Sequence, residues 1–370
     1  MSNQATGNSV MVFDRAAGGG LTQRGTFPTG GLGSAGVTDP LDSLLSQGSL
    51  TLSEDHRFLF AVEAGSNEVS VLAVEGEKLI PIDRVPSGGT FPVSVTVHNN
   101  LLYVLHRGDA TTGNSNITGF TVDAQGKLSA LPGSTRALVG GPNAFPAQVR
   151  FTPDGTQLVV TERTNNLIDV LLIDDQGRAG PLVKNNSSGR GPFGFTFAGK
   201  DLLIVSELSG ATSSYRLAPN GTLTVISGSV STAEEGACWV VTNSTADPRF
   251  AYVSNAVSGS ISGYRIDSAG ALSLLNRSGH TAVTVSSFAA IDSAVSGDDR
   301  FLYVITGGFS ETAETPIMSN AMNISAFRIE ADGKLTTIPG TDPEGLPPAI
   351  QGLAPNIQGL APGTQGIVAT

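Results

Sequence analysis

The stretch Arg57-Phe-Leu-Phe-Ala-Val-Glu63 decides the fold, because the chain repeats its pattern five more times. In each copy a hydrophobic doublet and two or three further apolar residues lead to a polar residue. The other copies are Asn100-Leu-Leu-Tyr-Val-Leu-His106, Thr156-Gln-Leu-Val-Val-Thr-Glu162, Asp201-Leu-Leu-Ile-Val-Ser-Glu207, Arg249-Phe-Ala-Tyr-Val-Ser-Asn255 and Arg300-Phe-Leu-Tyr-Val-Ile-Thr306. Their last residues lie 43, 56, 45, 48 and 51 positions apart, about one four-stranded propeller blade per step. The sequence therefore predicts a radial repeat.

One repeat, residues 47–85, shows how a blade is built. It divides into four strand-like stretches, 47–53, 57–63, 67–74 and 78–85, separated by turn residues. The composition agrees, since 46 of the 370 residues are glycine and only 14% are charged. Glycine accepts positive φ without steric cost, which suits many short strands joined by tight turns. Helical patterns are almost absent.

Counting the repeats gives six complete blades and one incomplete blade. Residues 8–24 supply only a third and a fourth strand, and Gly363-Thr-Gln-Gly-Ile-Val-Ala369 at the other end resembles Ser46-Gln-Gly-Ser-Leu-Thr51. A C-terminal strand that joins the N-terminal blade would close the ring and remove exposed strand edges. We therefore predict an all-β, seven-bladed β-propeller of four-stranded antiparallel blades, with residues 1–370 forming a single domain.

Charge and hydropathy restrict the partners. The net charge is −11 and the 21 Lys and Arg residues are spread thinly, which argues against nucleic acid. No run of eighteen apolar residues predicts a membrane span, and residues 1–12 lack the features of a signal peptide. The single cysteine, Cys238, excludes an internal disulfide framework. We expect a soluble chain, cytoplasmic as given or exported after processing.

The polar residues that end the repeated pattern are the candidates for chemistry. In a propeller the turns after the second strands share one face with the loops before the innermost strands, so these residues are predicted to surround one mouth of the central channel. Glu63, His106, Glu162 and Glu207 are the predicted catalytic residues. Carboxylates and an imidazole around one pocket suit general acid-base catalysis. The candidate substrate-binding residues are Arg107, Arg163, Gln148, Asn255, Trp239 and Phe193.

Other roles for these residues are open from the sequence. The strand-end glutamates could instead bond backbone amides in the channel wall, with the arginines neutralising them. His106 could be a structural residue of the same wall. Glu63, Glu162 and Glu207 could also hold Ca²⁺ or Mg²⁺, since these ions prefer oxygen ligands. No motif for any other cofactor is present.

The whole chain resembles the seven-bladed β-propeller lactonases, a family that includes 6-phosphogluconolactonase-like and 3-carboxymuconate-cyclase-like proteins. The resemblance rests on the stretches Gln47-Gly-Ser, Ala64-Gly-Ser-Asn-Glu-Val-Ser70, Phe151-Thr-Pro-Asp-Gly155, Gly191-Pro-Phe-Gly-Phe195, Val205-Ser-Glu-Leu-Ser209, Ala237-Cys-Trp239 and Ser254-Asn-Ala. Family members typically carry His and Arg at the starts of innermost strands, whereas here residues 143–148 and 191–195 contain no histidine.

Two functions follow as hypotheses. The resemblance implies an enzyme that opens or closes a lactone of a small carboxylated molecule at one mouth of the channel, as a hydrolase or a cycloisomerase. The alternative is a non-catalytic binding or surface and adhesion protein on the same scaffold. The missing histidines favour the second hypothesis, and the grouping of His106, Arg107, Glu162, Arg163 and Glu207 favours the first.

Overall fold

The structure is a computed structural model that describes residues 1–34, 44–109, 114–243, 248–284, 290–310 and 317–338, with side chains omitted in 307–310 and 317–322. In these residues the secondary structure consists of antiparallel strands and one three-residue 3-10 helix, Gly141–Asn143. No helix in the described ranges is long and apolar enough to cross a membrane. The prediction of an all-β propeller with four-stranded antiparallel blades is confirmed.

A two-stranded sheet and three blades occupy the first half of the chain. The N-terminal sheet pairs β1 with β2, and in blades 1 to 3 each strand pairs with the next from the channel outwards, the outermost strand of blade 2 being split in two. The strands are β1 (Ser9–Arg15), β2 (Leu21–Pro28), then β3 (Leu50–Leu52), β4 (Phe58–Glu63), β5 (Glu68–Glu75) and β6 (Lys78–Pro86) in blade 1, β7 (Pro92–His98), β8 (Leu101–His106), β9 (Asn116–Val122), β10 (Leu128–Ala130) and β11 (Arg136–Ala137) in blade 2, and β12 (Pro146–Phe151), β13 (Gln157–Glu162), β14 (Leu167–Ile173) and β15 (Ala179–Asn186) in blade 3.

Blades 4 to 6 repeat the same order, and the outermost strand of blade 5 is again split. Their strands are β16 (Pro192–Phe197), β17 (Leu202–Glu207), β18 (Ala211–Leu217) and β19 (Leu223–Ser231) in blade 4, β20 (Ala237–Thr242), β21 (Phe250–Asn255), β22 (Ser260–Ile266), β23 (Leu272–Leu274) and β24 (Ala282–Val283) in blade 5, and β25 (Ala290–Val295), β26 (Phe301–Ser310), β27 (Ile317–Ile329) and β28 (Leu335–Thr337) in blade 6.

The second strands form the buried layer between blades. Every residue of β4, β13, β17 and β21 is buried, because both faces of the strand pack against a neighbouring blade. Tyrosines in this layer link successive blades: the hydroxyls of Tyr103 and Tyr252 donate to the carbonyls of Gly177 and Gly333 at 2.8 and 3.0 Å. The repeated apolar run therefore supplies both the blade core and the contact with the next blade.

The N-terminal sheet lies where a seventh blade would stand. On one side the Tyr303 hydroxyl of blade 6 donates to the Gly19 carbonyl at 2.7 Å. On the other side Asn8 donates to Glu63 of blade 1 at 2.9 Å. The predicted closing strand, residues 363–369, lies outside the described residues, so closure of the ring by that strand stays a prediction.

The first strand of blade 1 is shorter than predicted. The sequence indicated a strand over 47–53, but β3 covers only Leu50–Leu52. The preceding residues run across the channel instead. The Gln47 amide donates to the Ala147 carbonyl at 3.0 Å and the Gln47 side chain bonds both backbone groups of Val240, at 3.0 and 3.1 Å. Gly194 leaves the space that this side chain needs, since a Cβ there would meet the Gln47 amide oxygen.

Candidate functional site

The six residues that end the repeated pattern occupy equivalent positions on the second strands, as the repeat predicted. Each is fully buried, with no surface exposed to solvent at the mouth. Glu63, His106, Glu162 and Glu207 lie against the loop that joins their blade to the preceding blade or to the N-terminal sheet, which we call the inter-blade loop. The six are Glu63, His106, Glu162, Glu207, Asn255 and Thr306.

Glu162 and Glu207 anchor their inter-blade loops. The Glu162 carboxylate accepts the backbone amides of Val139 and Gly140 at 2.9 and 3.0 Å. The Glu207 carboxylate accepts the Gly189 amide at 2.9 Å and the Ser229 hydroxyl at 2.7 Å. Carboxylates that accept several donors are held rigidly. Both carboxylates thus make the backbone bonds expected of a wall residue, while their catalytic role stays a prediction.

Glu63 connects blade 1 to the N-terminal sheet. One of its carboxylate oxygens accepts the Asn8 amide, and the side chain packs so closely on Gly31 that a Cβ there would collide with it. Burial raises the pKa of Glu63 above its ordinary value. Its other oxygen has no hydrogen-bond partner among the described residues.

His106 is enclosed in the same manner in blade 2. Its ring packs against Gly89 of the inter-blade loop, and neither ring nitrogen makes a well-formed hydrogen bond within the described residues. The nearest polar groups belong to Asn116 and to the backbone of Ser87. Burial lowers the pKa of His106 to about 4, so the imidazole is neutral at pH 7. A neutral imidazole can accept a proton but cannot serve as an acid.

The six residues do not form a shared cluster of ligands. Asn255 donates to the hydroxyls of Ser260 and Ser262 in its own blade, at 3.1 and 2.9 Å. The three glutamates likewise bond within their own surroundings, and the described part of the chain contains no group of three acidic, His or Cys residues placed to hold a metal ion. The structure therefore does not bring Glu63, Glu162 and Glu207 together around one cation.

Two predicted arginines lie on aromatic rings at the mouth. The Arg107 guanidinium lies 4.0 Å from the centre of the Phe91 ring. The Arg163 guanidinium lies between the rings of Phe145 and Phe193, at 5.8 and 5.4 Å, and Arg163 Nε donates to the Phe145 carbonyl at 2.8 Å. Cation-π contacts of this kind fix the position of a guanidinium.

The phenylalanines at these positions have a strained backbone. Phe91 and Phe145 directly precede β7 and β12 and have φ of 57° and 43°. The matching residues before β16 and β20 are Gly191 and Gly236, for which positive φ carries no steric penalty. A bulky residue at positive φ costs free energy and persists only where its surroundings impose it. Blades 2 and 3 thus hold aromatic rings at the mouth against a local preference for glycine.

An open pocket of about 570 Å³ lies at the mouth between blades 3 and 4. Its walls carry two guanidinium groups, from Arg163 and Arg190, together with the exposed apolar side chains of Phe145 and Leu208. The described lining residues include no acid, in a protein whose net charge is −11. They are Leu45, Phe145, Arg163, Thr164, Asn166, Arg190, Gly191, Leu208 and Ser209.

Arg190 was missed by the sequence reasoning. It stands immediately before the Gly191-Pro motif that carried part of the family resemblance, and its backbone carbonyl accepts the Ser209 amide at 3.3 Å. The signal that could have found it is its place in an inter-blade loop, one residue before a glycine at positive φ. A cation there is directed to the mouth by the loop itself.

The remaining predicted binding residues lie beneath the pocket. Phe193 and Trp239 are each 1% exposed and contact each other edge to face at 5.0 Å. The Trp239 indole donates to the Ser46 carbonyl at 2.8 Å, and Gln148 Oε1 accepts the Phe195 amide at 2.6 Å. Both aromatic rings are buried in this structure, and their role in substrate binding stays a prediction. Phe193 supports Arg163, and Gln148 faces the channel below.

Residues 46–48 separate the mouth from the channel. Besides the bonds of Gln47 and Trp239 already described, the Ser46 hydroxyl donates to the Val93 carbonyl and the Ser94 hydroxyl to the Gln47 carbonyl, both at 2.7 Å. This short segment therefore bonds the inner strands of blades 2, 3 and 5. We call it the plug.

Comparison with known proteins gives a family and a fold. The profile of the family described as lactonase, 7-bladed β-propeller, matches residues 4–137 and 114–242. No curated protein matches the chain significantly.

Among solved structures the chain is similar to a periplasmic gluconolactonase of Pseudomonas aeruginosa, with 16% identity and a TM-score of 0.63, covering 89% of this chain and 94% of that one. It is also similar to a proposed 6-phosphogluconolactonase of Bacteroides fragilis, with 17% identity and a TM-score of 0.64, covering 90% and 93%. A protein from Lactobacillus plantarum gives 19% identity and a TM-score of 0.63, covering 91% and 97%. At these identities the similarity shows the fold.

Proposed function

This chain belongs to the lactonase family of seven-bladed β-propellers, and we propose that it hydrolyses the lactone of a small anionic molecule in the mouth pocket. One observation carries the proposal: Arg163 and Arg190 line a pocket of about 570 Å³ whose described walls hold no acid. An acidic protein would otherwise repel an anionic substrate. The paired guanidiniums create the local basic surface that such a substrate requires.

The two arginines act on the same group of the substrate in this proposal. Arg163, fixed between two rings and bonded to the Phe145 carbonyl, binds the carboxylate or phosphate of the substrate. Arg190, exposed on its loop, supplies a second cation for the same anionic group. Water attacks the lactone carbonyl. The ring C–O bond then breaks, the ring oxygen takes a proton, and the product is a hydroxy acid.

The proton-transfer group stays a prediction. A neutral His106 suits a base and not an acid at pH 7, and contact with substrate would require the Gly89 loop to move away from its ring. The glutamates are committed to the inter-blade loops. If His106 is the base, His106→Ala lowers turnover by roughly 10²-fold; if it is a wall residue, the variant loses stability instead, about 1 to 3 kcal/mol.

A binding protein is the second candidate. None of the described residues that line the mouth pocket is His, Asp, Glu, Cys or Lys, so the visible walls can hold an anion but offer no group to move a proton. Such a protein would bind a sugar acid without turning it over. The two functions share the arginines and differ only in catalysis.

A panel of lactones tests the proposal. The assay measures hydrolysis of 6-phosphogluconolactone, a carboxylated lactone and neutral glucono-1,5-lactone through the protons that are released. Arg190→Gln is the variant and Arg178→Gln is the control. The Arg178 side chain is 42% exposed and lies in the turn between β14 and β15 on the opposite face.

We expect Arg190→Gln to lower kcat/KM on an anionic lactone by about 10 to 100-fold, the value of one charge-assisted hydrogen bond, and on the neutral lactone by far less. Arg178→Gln should change neither. Equal losses on neutral and anionic substrates would contradict the proposal. Binding of the product acids without turnover of any lactone would establish the second candidate.

A further inference from the structure

A second cavity, of about 600 Å³, fills the channel on the other side of the plug. Gln47 and Gly48 of the plug line one end. The cavity extends to the opposite face of the propeller, where the turns between first and second strands contribute Ser53, Glu54 and Thr152. Its size lies within the range of small-molecule sites. It is separate from the mouth pocket and shares no lining residue with it.

One cation, Arg150, lines this cavity, and it has no counter-ion within the part of the chain that the structure describes. Its one side-chain hydrogen bond to those residues is long, from Nη1 to the Thr196 hydroxyl at 3.4 Å. Among the described residues no carboxylate lies within ion-pair distance of it. Part of its surface is accessible from the cavity, while the protein surrounds the guanidinium and burial lowers the pKa of Arg150. Arginine nevertheless stays charged in proteins.

The neighbours at the same level of the channel are neutral. Arg150 pairs with Val159 of the second strand. One residue on each of the other inner strands occupies the same register. These residues are Thr51, Thr96, Thr196, Val241 and Ala294. The ring around Arg150 therefore offers three hydroxyl groups and no charge that could neutralise it.

The acids that line the cavity are engaged elsewhere. Glu54 lies at the outer rim and contacts His98 Nδ1 at 2.8 Å. Asp292 accepts the Ser293 amide at 2.9 Å and lies near the amino group of Met1. A charge buried without a partner is strongly unfavourable unless a ligand compensates it. Arg150 is thus in the position of an anion receptor.

We propose that the channel cavity is a second ligand site, in which Arg150 and the surrounding threonine hydroxyls bind the oxyanion of a small molecule that enters from the face opposite the mouth. The guanidinium supplies a bidentate donor pair for a carboxylate or phosphate. The Thr96 and Thr196 hydroxyls accept from the Phe151 amide and from Arg150, so each keeps its proton to donate to the ligand. The Thr51 hydroxyl already donates to the Val95 carbonyl at 3.0 Å. The plug keeps this ligand apart from the mouth pocket.

The experiment compares sodium phosphate and sodium gluconate, each against sodium chloride at equal ionic strength. Thermal unfolding and titration calorimetry are measured on the wild type, Arg150→Met, Arg150→Lys and Arg190→Gln. We expect at least one oxyanion to raise the Tm of the wild type, because a ligand that binds only the folded state stabilises it. Arg150→Met should weaken that binding at least tenfold, and Arg190→Gln should leave it in place.

Each outcome either supports or overturns oxyanion binding at Arg150. A response to phosphate alone indicates an inorganic oxyanion, and a response to gluconate alone indicates an organic carboxylate; either supports the proposal if Arg150→Met removes it. If Arg190→Gln removes the response and Arg150→Met does not, the anion occupies the mouth pocket, which overturns this inference while supporting the proposed function. The absence of any oxyanion effect on the wild type also overturns it. Should Arg150→Met fail to fold, weakened binding in Arg150→Lys provides the same test.

Discussion

Blades 3 and 4 meet at the mouth pocket, and in both a glutamate at the same position anchors the inter-blade loop. The two blades differ in the third-strand residue that lies beside this glutamate. In blade 4 the Ser213 hydroxyl donates to Glu207. In blade 3 the equivalent position is Asp169, fully buried beside Glu162, and its two oxygens have no donor among the described residues. The other four blades carry hydroxyls at this position, namely Ser70, Thr118, Ser262 and Ser325.

Asp169 can replace that hydroxyl only as a neutral acid. Burial, and then the adjacent Glu162, raise the pKa of Asp169 to about 8. With its proton, Asp169 can donate to Glu162 as Ser213 does to Glu207. Without it, two buried carboxylates face each other. Blade 3 also has Phe145 at positive φ where blade 4 has Gly191. Blade 3, which holds Arg163, therefore has the less stable residue at both positions: Asp169 in place of a serine, and Phe145 in place of a glycine.

The largest expected effect comes from removing the shared anchor in blade 4. Glu207→Ala leaves the Gly189 amide and two serine hydroxyls without their acceptor. We expect the free energy of unfolding, measured in urea, to fall by about 3 kcal/mol or more. Glu235→Ala, at an exposed position two strands further on, is the control. Equal stability of the two variants would mean that the strand-end glutamates do not anchor the loops.

Replacing Asp169 with serine, the residue at the same position in blade 4, tests the difference between the blades. Between about pH 4 and pH 8 the folded protein keeps the Asp169 proton that the unfolded chain releases, so the stability associated with that proton is complete below pH 4 and is lost as pH rises through 8. Asp169→Ser should remove this loss and raise the free energy of unfolding at pH 8 to 9 by about 1 to 3 kcal/mol, and by less at pH 5. The measurement is Tm as a function of pH.

The reciprocal variant, Ser213→Asp, is the matched control. It should give blade 4 the pH dependence that Asp169→Ser removes from blade 3, with Tm falling more steeply from pH 5 to pH 9 than in the wild type. Parallel Tm against pH curves for wild type and both variants would show that Asp169 is not a proton-holding substitute for the hydroxyl.

The smallest effect on stability should follow from replacing Phe145, the residue directly before the inner strand β12. Phe145→Gly relieves the positive φ and removes a ring from Arg163, so we expect near-unchanged stability and roughly tenfold weaker binding of an anionic ligand at the mouth. Phe145→Ala removes the ring but keeps the strain, and should be less stable than Phe145→Gly by about 1 kcal/mol. If binding is unaffected in both, Phe145 does not position Arg163.

The register of the second strands could be predicted from the sequence, and the direction of their last side chains could not. The apolar run and its terminal polar residue place Glu162 and Glu207 at equivalent points because the repeat is regular. The inner strands of blades 2 to 6 each contain a β-bulge near their start. A bulge shifts the alternation by one residue and is invisible to a period-two pattern.

Other parts of the site escaped prediction for different reasons. Arg190 and Phe145 act through backbone conformation in loops, for which residue type alone gives little information. Arg150 lies between Val149 and Phe151 and was not among the predicted site residues, because its isolation depends on which side chains the other blades contribute. That information exists only once the ring is assembled.

The plug has a consequence for the order in which the chain folds. Its bonds join Ser46 and Gln47 to Trp239 and Val240, 193 residues later in the chain. Closing a loop of that length carries an entropic penalty that neighbouring blades avoid, because their contacts are local. Blades 1 to 5 must therefore exist before the plug can be seated. We expect burial of the Trp239 indole to be a late kinetic event, slower than strand formation, and its fluorescence to report the moment at which blade 5 docks onto residues 46–48 across the channel.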